Sequence, residues 1–178
     1  MEDALTETLR AHVAADPAEA ADLDRIRDLV EATDDPWSRQ IPLHLTASAL
    51  VVHPSTTRVL LRWHAKQERW LQVGGHADPG ERDPWPIALR EAEEETALTD
   101  LRPLEDGLAQ VTIVDVNATP NEPAHQHADL RYLLVTDDPD AVPHEVEGVP
   151  LRWMTLDDAL AVADEGLERL LRRVPGFG

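Results

Sequence analysis

Apolar residues recur at a spacing of four through Leu5, Leu9 and Val13, which predicts a helix over residues 3–14. Asp16-Pro17 starts a second helix, with Pro17 in the first turn, where its missing N–H costs little. Leu23, Ile26, Leu29 and Val30 mark its apolar face, and it ends near residues 33–36. The period then changes. Residues 44–52 read as a strand, and a turn at residues 54–57 leads to a hairpin partner at 58–63. Residues 70–73 form a further short strand, ended by Gly74-Gly75. Residues 111–116, 130–135 and 149–154 are strands, and residues 118–124, with two prolines, are a loop. Thr155 caps a helix start with Asp158 three residues on, and a last helix covers residues 166–173. Helices mixed with hairpins predict an α+β chain, folded as a helix–sheet–helix sandwich.

The 178 residues suit one domain with a short addition: residues 1–40 as an N-terminal helical extension and 41–178 as the main domain. Charge alters the picture more than length does. Lys+Arg 16 against Asp+Glu 35 gives a formal −19. Such a surface repels nucleic-acid polymers and anionic membranes, but tolerates a small phosphorylated substrate where metal ions neutralise the contact. The absence of cysteine excludes disulfides, zinc–thiolate sites and cysteine nucleophiles. No stretch approaches the roughly 18 apolar residues of a membrane span, and the acidic N-terminus does not resemble a signal peptide, so the cytoplasm is the expected compartment.

The chemistry concentrates in residues 74–98. Asp83 can cap a helix starting at Pro84. On that helix Glu91, Glu94 and Glu95 stand at i, i+3 and i+4, so three carboxylates share one face and repel one another. A hard cation, Mg²⁺ or Mn²⁺, would relieve that repulsion. On a chain this acidic, a lone helix of this kind would more often be a solvated face.

The helix is not alone. The run from Gly75 through Glu81, Arg90-Glu91 and Glu94-Glu95 to Leu98 resembles the Nudix box, G-x5-E-x7-R-E-U-x-E-E-x-G-U with U a bulky aliphatic residue. Three positions depart from it. Eight residues separate Glu81 from Arg90, Ala92 is smaller than the usual aliphatic, and Ala97 replaces the final glycine. The likeness runs from about His44 to the C-terminus and leaves the two N-terminal helices outside. It implies a Nudix fold, an α/β/α sandwich on a mixed sheet.

The resemblance also implies an Mg²⁺-dependent hydrolase (Mn²⁺ being the other candidate ion) that cleaves a diphosphate bond in a small nucleotide-like substrate. Glu91, Glu94 and Glu95, with the Gly75 carbonyl, are then the metal ligands. Arg90 pairs with box glutamates and orients them. Glu91 is the first choice for general base inside the box; Glu145 and Glu147, ahead of the last strand, are the candidates outside it. A Nudix-fold nucleotide sensor without turnover is the alternative reading. Retention of Arg90, Glu91, Glu94 and Glu95 argues against it. An isoprenoid diphosphate isomerase on the same fold would need a cysteine that this chain lacks.

A second constellation is His125, His127 and Asp129, which strand alternation places on one face. It suits a transition metal or a phosphate contact, or simply hydrogen-bonded histidines at a loop-to-strand junction. His76, beside the glycines, is a further substrate-binding candidate. Trp70, Trp63 and Trp85 are candidates to stack a base or to pack, and Tyr132 reads as core. The N-terminal helices offer a surface for a homodimer.

Overall fold

The computed structural model describes residues 3–120 and 122–176. In chain order the elements are α1 (Ala4–Ala11), α2 (Pro17–Ala32), β1 (Leu43–Val52), β2 (Val59–His64), β3 (Arg69–Leu71), β4 (Val73–Gly75), α3 (Pro84–Thr96), β5 (Arg102–Pro103), β6 (Gln110–Val116), β7 (His125–Val135), β8 (Glu145–Val146), β9 (Val149–Met154), α4 (Leu156–Leu160) and α5 (Glu165–Leu171). Among the described residues, nine strands form one mixed sheet with the path β5-β7-β1-β2-β9-β8. β1 runs parallel to β7 along its whole length and antiparallel to β2 and β4.

Strand alternation divides the side chains of β1 and β7 between the two faces of this sheet. Leu45, Ala47, Ala49 and Val51 of β1 join Ala128, Leu130, Tyr132 and Leu134 of β7 in one core, which Leu5, Leu9, Leu23, Ile26, Ile87, Ala88 and Ala92 of α1, α2 and α3 close. The opposite face is split. Its far half, Leu50, Val52 and Leu133, is covered by Leu167, Leu170 and Leu171 of α5. Its near half carries His44, Thr46 and Ser48 of β1 beside His127, Asp129 and Arg131 of β7. Helices on both sides of a mixed sheet are the α/β/α sandwich expected from the sequence.

Three of the departures from the sequence reading have a clear structural cause. α1 stops at Ala11 because His12 turns extended, so Val13 is 83% exposed instead of completing the apolar stripe. The strand expected at residues 70–73 is two strands, because β3 pairs with β2 while β4 pairs with β1. β7 begins at His125 rather than at residue 130, since its first five residues already pair with β6 and β1.

The N-terminal helices are fastened by a buried charge. Glu19 of α2 is fully buried and accepts from Ala15 N (2.7 Å) and Val111 N (2.9 Å). Arg173 meets both its oxygens, at 3.0 and 2.6 Å, and His12 Nε2 lies 2.9 Å from Oε1. This clasp ties the first helices to β6 and to the C-terminal segment.

Candidate active site

Helix α3 begins as the sequence implied. Asp83 caps it by accepting from Trp85 N at 3.2 Å, and Pro84 occupies the first turn. Ala97 ends it in the left-handed conformation, φ 58°, where glycine would carry no Cβ penalty. Residues 82–83 lead from Glu81 to the helix without regular structure, which leaves the longer spacing between Glu81 and Arg90 room ahead of α3. Glu81 still reaches Arg90 in a two-pronged ion pair, Nε–Oε1 3.1 Å and Nη2–Oε2 2.9 Å.

Arg90 is the hub of the box. Its Nη1 donates to Glu91 Oε1 at 2.9 Å and to Glu94 Oε2 at 3.2 Å, and its Nη2 to the His76 carbonyl at 3.0 Å. Glu95 has different partners: Gly74 N–H at 3.0 Å and the Arg62 guanidinium at 3.0 Å. Burial pushes the Glu91 carboxyl up, with Arg90 opposing and Glu94 and Asp78 adding to the rise. Burial likewise raises Glu95 against the pull of Gly74 N–H and Arg62. Gly75 leans so closely on this face that a Cβ there would stand 2.6 Å from Glu91 Oε2. A Cβ on Gly74, at φ 147°, would stand 2.3 Å from Ser48 Cβ. The two glycines therefore let the backbone pass between β1 and the carboxylates.

On the other side of Gly75 the polar half of the sheet face opens into a cleft. A cavity of about 190 Å³ is lined by Thr46, Ser48, Gly74, Gly75, Asp129 and Arg131 among others. Asp129 is buried at its floor and accepts from Thr46 Oγ1 (2.9 Å), Ser48 Oγ (2.8 Å) and Arg131 Nε (2.7 Å). Burial would raise its pKa, but the Arg131 charge and these hydrogen bonds outweigh it and hold the carboxyl below its ordinary range. A second cavity of about 350 Å³ adjoins, sharing His64, Gln67, His76 and His127, and its wall includes Arg39, Lys66 and Arg69.

Four histidines meet where the cavities join. His44 Nε2 is 3.1 Å from His76 Nε2, and His125 Nε2 is 3.1 Å from His127 Nε2. Burial, helped by the neighbouring histidines, lowers His76 to about 3 and His127 to about 4.

The structure thus brings together Gly75, His76, Arg90, Glu91, Glu94 and Glu95, and sets His125 and His127 beside them. The remaining candidates stand on other elements. Glu147 is exposed at the tip of the β8–β9 hairpin, where it and Gly148 have φ 51° and 78°. That is the pair of positive φ values a two-residue hairpin turn demands, so the turn accounts for this position. Trp70 stands edge-on to Trp63 with ring centres 5.6 Å apart and packs against the core beneath α5. Glu145 pairs with Pro150 as an exposed edge residue. Trp85 and Tyr132 stand edge-on to one another, 5.3 Å between ring centres, in and against the other core.

Sequence reasoning passed over His44, Thr46, Ser48 and Arg131. Their signal was present: polar residues at 44, 46 and 48 alternate with Leu45, Ala47 and Ala49, the mark of a strand with one wet face.

The chain has relatives among known proteins. The family model described as the NUDIX domain matches residues 42–174. A probable DHNTP pyrophosphohydrolase of Lactococcus lactis subsp. cremoris is 34% identical over 119 residues, 66% of this chain and 67% of that protein. An asymmetrical bis(5'-nucleosyl)-tetraphosphatase of Caenorhabditis elegans is 28% identical over 121 residues, 67% of this chain and 83% of that protein. The crystal structure of the C. elegans Ap4A hydrolase superposes with a TM-score of 0.57 at 26% identity, covering 75% of this chain and 96% of that one. The chain belongs to the Nudix family and is a hydrolase of phosphoanhydride bonds.

Proposed function

We propose that this hydrolase is Mg²⁺-dependent and cleaves the polyphosphate chain of a small nucleotide-like compound, with the Glu91–Glu94 face of α3 as its reactive centre. One observation carries the reading: Glu91 lies half-buried against the Gly75 backbone, raised in pKa, with Glu94 and Glu95 adding negative charge beside it. A set of hard oxygen donors under mutual repulsion fits a hard divalent cation. Glu91, Glu94 and the Gly75 carbonyl would hold it, and Glu95 would complete the set only by loosening its grip on Gly74 and Arg62. When bound, the ion supplies neutralisation of phosphate oxygens and a more acidic water.

The chain's own groups do the rest. Glu91 is the proton acceptor in this reading, because it is the box carboxylate set against the Gly75 backbone. Arg90 holds Glu81, Glu91 and Glu94 in one arrangement and pins the His76 carbonyl, which fixes the course of the glycine loop. Arg39, Lys66 and Arg69 line the adjoining cavity with Asp115 and Glu122; Arg39 pairs with Glu122 at 3.8 Å and Arg69 with Asp164 at 3.1 Å, and these cations would receive the remaining phosphates by exchanging carboxylate for phosphate. The relatives' names, a pterin triphosphate and a dinucleoside tetraphosphate, support a substrate with three or more phosphates. Residues 1–40 are an extension that shares the main core and, Arg39 aside, stands outside the chemistry.

The test is a substrate panel of nucleoside triphosphates, dinucleoside polyphosphates and ADP-ribose, with Mg²⁺, Mn²⁺ or chelator, following every phosphate-bearing product beside a Glu94→Gln control. Turnover that needs the metal, prefers longer phosphate chains and is lost in the control supports the reading. Preference for ADP-ribose would overturn the substrate class. Tight nucleotide binding without any product would favour a sensor.

A further inference from the structure

Four imidazoles meeting at one point call for an explanation that the carboxylate site does not supply. We propose that His44, His76 and His127, with His125 in support, form a second metal site that takes a transition-metal dication of the zinc class, distinct from the Mg²⁺ position on α3. One ligand nitrogen from each of the first three lies within 4.8 Å of the others. The Nε2–Nε2 separations of 3.1 Å for His44–His76 and for His125–His127 are close to the roughly 3.3 Å edge of a tetrahedron with Zn–N bonds of about 2.0–2.1 Å.

Two of the rings are also oriented as ligands are. His44 Nδ1 lies 3.0 Å from the Ile41 carbonyl and His125 Nδ1 lies 2.9 Å from the Pro123 carbonyl. A carbonyl only accepts, so each Nδ1 carries the hydrogen and each Nε2 presents a lone pair toward the cluster. A backbone carbonyl behind the distal ring nitrogen is the support that metal-bound histidines commonly have. Two lone-pair nitrogens turned inward can be met by N–H groups of His76 and His127, or by a cation. Both arrangements engage these nitrogens, but only the cation would join the two histidine pairs to one another.

The site joins segments far apart in sequence: the start of β1, the loop after β4 and the start of β7. His76 follows Gly75 directly, and its carbonyl is the one pinned by Arg90. A bound ion would therefore fix the glycine loop from the side opposite the box. Nitrogen-only donors suit Zn²⁺, Co²⁺ or Ni²⁺ and suit Mg²⁺ poorly, so the two sites select different ions.

The experiment uses the full chain stripped of metal, in excess Mg²⁺, titrated with Co²⁺ and followed by visible absorption, then with Zn²⁺ in competition. We expect about one Co²⁺ per chain with the intense absorption of a tetrahedral nitrogen site, displaced by Zn²⁺. Glu91→Gln and Glu94→Gln should leave this signal in place. His76→Ala and His127→Ala should abolish it, and His125→Ala should weaken binding about 10–100-fold. Absence of Co²⁺ binding, or a signal lost with the glutamates and kept without His127, would overturn the proposal. Should a histidine variant fail to fold, imidazole ¹⁵N resonances of the unaltered protein decide. Zn²⁺ must then shift those of His44, His76 and His127, and unmoved resonances would overturn the site.

Discussion

Glu19 and Glu91 are the same residue type on two helices of one molecule, and their surroundings differ in kind. Glu19 is buried with every oxygen met: two backbone N–H groups, Arg173 and His12 converge on it. Burial alone would raise its pKa, yet these hydrogen bonds hold it far below the ordinary 4.5. Glu91 is half-buried, and it shares one arginine with Glu81 and Glu94 and moves upward in pKa. One carboxylate is over-satisfied and fastens elements together. The other shares its arginine with two more carboxylates and, in the proposed function, offers its charge to a cation, which would be the difference between a structural and a reactive acid.

Substitutions should separate the two regions, beginning with the largest effect. Glu91→Gln should lower turnover about 10²–10⁴-fold with little loss of stability, read by product release and thermal melting in parallel. Glu19→Gln should do the reverse. It leaves Arg173 facing a neutral partner, should destabilise by about 3 kcal/mol, and should lower the melting temperature by roughly 6–12 °C with kcat nearly kept. If Glu19→Gln removes activity in protein that is still folded, the two regions are not separable.

The acid limb sharpens the contrast. A carboxyl with a lowered folded pKa contributes stability that is present above its unfolded value, near 4.5, and is lost as pH falls toward the folded value. The unaltered protein should therefore lose stability below about pH 4.5 more steeply than Glu19→Gln does, as chemical denaturation at several pH values will show. Equal slopes would deny Glu19 its role.

Gly75→Ala should reduce turnover on the order of 10²-fold, because the new Cβ would stand 2.6 Å from Glu91 Oε2 and displace it. The smallest effect belongs to Ala97→Gly. Ala97 sits at φ 58°, so glycine should stabilise by about 1 kcal/mol, roughly 2–4 °C in melting, with activity unchanged.

Much of this was legible along the chain. The cap at Asp83, the spacing of Glu91, Glu94 and Glu95 and the pairing of Arg90 with Glu81 depend on contacts within about one or two helical turns or on a fixed motif, and local sequence carries such information. The histidine cluster was half visible. His125 and His127 alternate on one strand, but His44 and His76 reach them through the parallel pairing of β1 with β7 and through the β4 loop, which no local period encodes. The clasp at Glu19 was invisible for the same reason: its partners, Val111 and Arg173, lie in distant parts of the chain. For Glu147 the sequence offered two readings, since an acidic residue before a strand also fits a turn, and Gly148 after it was the sign of that turn.

The most direct test of the account is turnover as a function of Mg²⁺ concentration for the unaltered chain, Glu91→Gln, Glu94→Gln and Glu19→Gln, at a temperature where all four remain folded. The account predicts that the first and last share one saturation curve, while both box variants fall to background or need far more Mg²⁺. Equal Mg²⁺ curves for the box variants and the unaltered chain would contradict it.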